Sequence, residues 1–290
     1  MTTLRKVATR KNFLSDICAV FCNEEQKWNL NPLIFCFENC CFDVKTGKQS
    51  VPNPEDYINV STGYDYKPEL NSPELRDELY KVIREMLGKP LADYLLEILS
   101  TGLTGLQIQR VFILTGQGGN GKSVLLDLLL EMLGSYGYLL PQGFISKPIK
   151  EGGNPEASQI GGKRAVLTSE PDEKAGLCAS NIKSLTGDAT LNVRELYSNA
   201  TGIELTLTFL MACNEKPKFD EINPAVRRRL EGGVIPFDKL FVSKDYYDGA
   251  TDEEKVNLRI GDTKYQTREW REKIKFAFFG LLLDAHRENT

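Results

Sequence analysis

The stretch RVFILTGQGGNGKSVLLDLLLEML, residues 110–133, constrains this chain more than any other. An apolar run of strand character, Val111 to Leu114, leads into Gly116, Gln117, Gly118, Gly119, Asn120, Gly121, Lys122 and Ser123, and then into a leucine-rich helix. G-x4-G-K-S between a strand and a helix predicts a backbone cradle for phosphate groups. The glycines let N–H groups curl inward, and the helix N-terminus adds a favourable dipole. Gly116 through Val124 are therefore the nucleotide-binding candidates. Lys122, expected as an exposed loop charge, is placed to reach the β and γ phosphates, and Ser123 to ligate Mg²⁺. Kinases, GTPases, packaging motors and helicases share this element, so it points to a fold and a ligand class and leaves the activity open.

From about residue 106 to 240 the pattern alternates strand, glycine loop and helix, which predicts an α/β layer with a parallel sheet. In KRAVLTSEPDE, an apolar strand (Ala165 to Thr168) runs to Glu170, where a strand C-terminus meets Mg²⁺ and an attacking water. Asp172 is the alternative acid, and a solvated acidic turn is the plainer reading. In TFLMACNEKP a buried strand ends at Asn214, either a turn former or the amide that positions the water. Arg227, Arg228 and Arg229 follow in NPAVRRRL, with Asn223 as an N-cap and Pro224 in the first helical turn. Helix residues point about 100° apart, so the three cannot share one target. Alone they read as a solvated patch. After a P-loop and Asn214 they match ring-forming ATPases in which an arginine of one subunit completes its neighbour's site, with Arg228 or Arg229 the candidate and Arg227 facing elsewhere.

With 290 residues, 41% hydrophobic and 26% charged, the chain can bury a sizeable core. A pI near 5.4 argues against wholesale coating of nucleic acid, so any such site is local. No run approaches the roughly 18–20 apolar residues of a membrane span, and the expectation is an intracellular soluble protein. Of seven cysteines, five fall early (Cys18, Cys22, Cys36, Cys40, Cys41) and read as reduced, packed thiols, with a zinc site the alternative. One histidine, His286, leaves no room for a multi-histidine metal site. The N-terminal part reads as a helix over about 4–22, a strand–turn–strand at 33–44, and helix over about 72–100 with Ser72 as N-cap and Gly88 as a stop. An amphipathic helix from REWREKIK closes the chain. The expected division is an accessory region at 1–100 and an ATPase domain at 101–290.

In order, these motifs resemble the superfamily 3 helicases that are fused to primases in poxviruses, other large DNA viruses and some phages. GQGGNGKS is similar to the family's motif A, GKRAVLTSEPDE to motif B, LMACNEKP to motif C, and NPAVRRRLEGGVIPF to its arginine-finger segment. IKSLTGDATLNVRELY, with Lys183, Gly187, Asp188, Arg194 and Tyr197, resembles the family-specific motif between B and C. Residues 31–57 resemble the accessory region that precedes such domains. The resemblance implies an AAA+-like P-loop fold behind a small, mostly helical accessory region. It also implies ATP and Mg²⁺, a homohexameric ring on single-stranded or forked DNA, and a primase domain or protein in the full gene product. The site of action implied is the host-cell cytoplasm. Pro171 separates Glu170 from Asp172 where the family often pairs its acids, and the hairpin tip YSNATG carries no basic residue. Lys183 and Arg194 are thus the expected DNA contacts. The chain is expected to be a fragment or a short version without a primase domain. The alternatives are a non-helicase AAA+ motor for DNA packaging or protein remodelling, and a P-loop kinase.

Overall fold

The computed structural model describes residues 7–21, 28–141, 143–148, 155–168, 176–187, 190–194 and 200–289. The chain opens with α1 (Val7–Phe21), followed by a small antiparallel sheet of β1 (Ile34–Cys36), β2 (Cys41–Asp43) and β3 (Gln49–Ser50). Phe35 and Phe42 pair across β1 and β2 and are buried, as are Phe37 and Cys40 in the connecting turn. Two helices follow, α2 (Pro73–Leu87) and α3 (Lys89–Ser100). The Ser72 side chain caps α2 by accepting from the Leu75 N–H, as expected. Gly88 stops α2 and starts α3, at a φ of 77° that favours glycine.

The centre is a five-stranded sheet built from β4 (Val111–Thr115), β5 (Gly137–Leu140), β6 (Ala165–Thr168), β9 (Thr208–Cys213) and β10 (Val234–Pro236). Their order is β10-β4-β9-β6-β5, and every pairing is parallel. β4, β6 and β9 are almost wholly buried, which explains why they read as continuous apolar runs. Helix α4 (Lys122–Leu133) follows β4. Between β5 and β9 lie α5 (Pro155–Ser158), α6 (Ala179–Gly187) and a hairpin of β7 (Thr190–Arg194) and β8 (Ala200–Glu204). Helix α7 (Pro224–Leu230) precedes β10. After β10 come β11 (Leu240–Val242), α8 (Lys244–Gly249), α9 (Asp252–Lys255), β12 (Leu258–Ile260) and α10 (Arg268–Glu288), with β11 and β12 a parallel pair. The expected α/β P-loop architecture is the observed one.

The closing helix does more than its amphipathic pattern suggested. α10 packs on α2, α3 and α4, and residues 274–280 are buried without a break. Phe279 stacks on Phe35 at 5.4 Å and meets Phe37 edge-on at 5.0 Å. One hydrophobic cluster therefore runs from the N-terminal sheet through α2, α3 and α4 to α10. A second, on the opposite face of the sheet, joins β5, β6 and β9 to α6. The cysteines differ from expectation: Cys36 and Cys41, directly paired across β1 and β2, form a disulfide. Cys40, Cys178 and Cys213 are free and buried. Among the described residues no helix is long and apolar enough to cross a membrane.

Candidate nucleotide site

Parallel pairing brings the C-terminal ends of β4, β6 and β9 to one edge of the sheet. Thr115 pairs with Cys213, and Thr168 with Met211, so the segments leaving these strands converge there. The P-loop leaves β4 at Gly116, whose φ of 144° suits glycine, and a Cβ there would stand 2.4 Å from the Phe237 carbonyl oxygen. The Gly116 N–H donates to the carbonyls of Cys213 (3.3 Å) and Asn214 (3.2 Å). The loop is thereby stitched to the end of β9. On its other side the Phe241 N–H of β11 donates to the Gly119 carbonyl at 2.8 Å.

A cleft of about 860 Å³ opens here. Gly118 through Val124 line it, Asn214 stands at the end of β9, and Met86, Phe241 and Tyr265 add an apolar wall, with Met86 and Phe241 against the loop itself. Sequence reading missed that wall. Its residues come from α2, β11 and the turn before α10, which no shared motif links. Asp127, one turn into α4, also faces the cleft; burial pushes its carboxyl up, Arg271 opposes the shift and Glu131 adds to it.

The structure brings Lys122, Ser123 and Asn214 together. Lys122 is not the exposed loop charge expected: it is 5% exposed and begins α4. Its ammonium curls back under the loop to the carbonyl of Gly116, to that of Gln117 at 3.3 Å and to Asn120 Oδ1 at 3.0 Å. A cation beside glycines can fold onto carbonyls that larger side chains would screen. Ser123 is open to the cleft. Donors and cradle suit a nucleoside triphosphate: backbone N–H groups at a helix N-terminus, an ammonium and a hydroxyl, in a loop where Cβ atoms at Gly116 or Gly121 would collide with Phe237 or Met86. Glu170 and Asp172 lie outside the described residues, two and four positions beyond the end of β6.

The arginine helix separates its three residues as the 100° step requires. Asn223 caps α7 by accepting from the Val226 N–H at 3.1 Å. Arg227 and Arg228 are exposed, and Arg228 Nη2 reaches Gln109 Oε1 at 3.5 Å. Arg229 is 8% exposed, donating to Thr186 Oγ1 (2.9 Å) and to the Ala225 carbonyl (3.0 Å), against Gly187 where any Cβ would clash with its guanidinium. Arg229 is therefore corrected from a candidate for a neighbour's site to a residue packed inside its own chain: it falls on the α7 face that meets α6. Lys183 is half-buried on α6 and does not line the cleft. Arg194 ends β7 opposite Ala200 at the hairpin tip. Asp188 and Tyr197 lie outside the described residues.

Two family models match: "D5 N terminal like" over residues 1–88 and a family of unknown function, DUF5906, over residues 114–229. The L207/L206 protein of Acanthamoeba polyphaga mimivirus, named as a helicase candidate, is 30% identical over 220 residues, covering 73% of this chain and 22% of that protein. "Primase D5" of Fowlpox virus is 28% identical over 261 residues, covering 85% of this chain and 32% of its own length. The chain thus spans about a fifth to a third of these relatives. Among solved structures, the apo NrS-1 C-terminal region superimposes with a TM-score of 0.54 at 14% identity, covering 97% of this chain and 63% of that one, a likeness of fold. The resemblance read from the motifs is matched by these findings: the chain is similar to helicase-named and primase D5 proteins of large DNA viruses, and its first 88 residues match the D5 N-terminal family model.

Proposed function

We propose that this chain is the motor part of an ATP-dependent DNA helicase of the AAA+ type. In this reading it forms a ring, the homohexamer that the family resemblance implies, and moves along single-stranded or forked DNA during viral or phage genome replication. The observation that carries the proposal is the seam between Gly116 and Asn214, which sets a P-loop and a polar strand end on one cleft. In this reading Lys122 neutralises the β and γ phosphates and Ser123, with Glu170, holds Mg²⁺, which polarises the γ-phosphate. Glu170, or Asp172 in its place, activates the water, and Asn214 orients it. Arg228 approaches the γ-phosphate of a neighbouring subunit. Residues 1–100 serve as the accessory region to an ATPase unit at 101–290, and a primase domain or protein completes the gene product. Lys183 and Arg194 hold the DNA strand; replacing either with alanine flattens the salt dependence of single-strand binding by about one unit of slope for each phosphate no longer engaged.

The test is ATPase activity with and without single-stranded DNA, together with native mass. Stimulation by DNA in an oligomer, with Glu170→Gln still binding ATP but turning over poorly, supports the reading. Hydrolysis by an oligomer indifferent to DNA points to a packaging or remodelling motor. Phosphoryl transfer to a small acceptor by a monomer points to a kinase. Either result overturns the helicase reading.

A further inference from the structure

Asn120 sits inside the phosphate loop, yet both ends of its amide are committed within the protein. It is 4% exposed. Its Nδ2 donates to the Phe237 carbonyl at 3.2 Å, and its Oδ1 accepts from Lys122 Nζ at 3.0 Å and from the Lys122 N–H at 3.4 Å. Phe237 directly follows β10, and its own N–H donates to the Thr115 carbonyl at 2.7 Å. Phe237 is thus fixed to the last residue of the P-loop strand. Upstream, β10 is tied to α7 by the Gly233 N–H on the Leu230 carbonyl at 2.9 Å, and to β4 by the Ile113 N–H on the Gly233 carbonyl at 2.7 Å. A short, pinned path therefore runs from the arginine helix through β10 and Phe237 to Asn120 and the ammonium of Lys122.

A loop asparagine with its amide turned to the cleft would be a phosphate donor. This one directs its NH₂ group at Phe237 and offers its oxygen to the lysine. We propose that Asn120 is a positioning residue. It sets where the Lys122 ammonium sits and anchors the loop to the strand that leaves the arginine helix, and it contributes to nucleotide binding through Lys122 without touching phosphate. The inference rests on the nucleotide-binding reading of the cleft.

A double-mutant cycle separates this from a direct or merely structural role, since residues acting through one another are non-additive. The probe is a fluorescent, slowly hydrolysed ATP analogue with Mg²⁺, titrated against the wild-type chain, Asn120→Ala, Lys122→Ala and the double variant. Asn120→Ala is expected to weaken binding about tenfold, a typical effect for a buried hydrogen bond to a charged group. In the Lys122→Ala background the same change is expected to cost less than about twofold. Asn120→Ser, whose hydroxyl is too short to span to Phe237, is the second variant should the alanine protein fold poorly, and is expected to lose affinity in the same way. A full tenfold loss that persists without Lys122, or no loss in any Asn120 variant, overturns the proposal. Wild-type protein that binds no analogue at all overturns the nucleotide reading with it.

Discussion

Arg164 lies with its guanidinium carbon 4.4 Å from the centroid of the Tyr136 ring and 5.7 Å from that of Phe35, beside two rings that contact each other at 4.8 Å. It is 5% exposed and donates to the carbonyls of Leu103 and Ile34. Burial pushes its pKa down, with Tyr136 opposing. Because Arg164 immediately precedes β6, this contact locks the N-terminal sheet onto the strand that leads to Glu170.

Removing that guanidinium takes the donor from the Leu103 and Ile34 carbonyls and leaves a cavity beside the Tyr136 ring. Arg164→Ala is expected to cost about 2–4 kcal/mol of unfolding free energy, read from urea denaturation. A cost below about 1 kcal/mol would mean that water replaces the arginine without strain.

The buried and exposed members of the arginine helix separate by assay. Arg229→Ala is expected to destabilise the chain by about 2–3 kcal/mol, because Thr186 and the Gly187 turn are left without their packing partner. Arg228→Ala is expected to change stability by less than about 0.5 kcal/mol while lowering ATP turnover. Thermal melts of both variants, set beside their turnover, check the division.

The Cys36–Cys41 disulfide closes a loop of only a few residues, so the chain-entropy contribution is modest. Reduction, or the Cys36→Ser/Cys41→Ser pair, is expected to cost about 2 kcal/mol in denaturant unfolding. Cys40, between them, is expected to alkylate slowly in the folded protein, since burial pushes its thiol pKa up.

The sheet was legible because the strands buried on both faces read as unbroken apolar runs and the P-loop fixed their direction. Ser72, Gly88, Asn223 and Pro224 marked helix ends through local chemistry that tertiary packing had no reason to override. What stayed hidden depended on contacts between distant segments. The inward turn of Lys122 follows from carbonyls that only the folded loop presents. The turning of Arg229 to the interior depends on α6 lying against α7. The wall of Met86, Phe241 and Tyr265 is assembled from three separate elements, and the pairing of Cys36 with Cys41 required knowing the register of β1 and β2.

The proposed motor depends on an exposed arginine of one subunit completing the phosphate site of the next, an arrangement typically worth about 10³ to 10⁵ in turnover. The decisive measurement is ATP hydrolysis in mixtures of Lys122→Ala subunits with Arg228→Ala subunits. Each variant alone is expected to be inactive, whereas mixed rings contain interfaces where an intact P-loop meets an intact Arg228, and these are expected to recover part of the activity. Full hydrolysis by a strictly monomeric species, or by the Arg228→Ala protein alone, would contradict this arrangement and return Arg228 to a solvated surface charge.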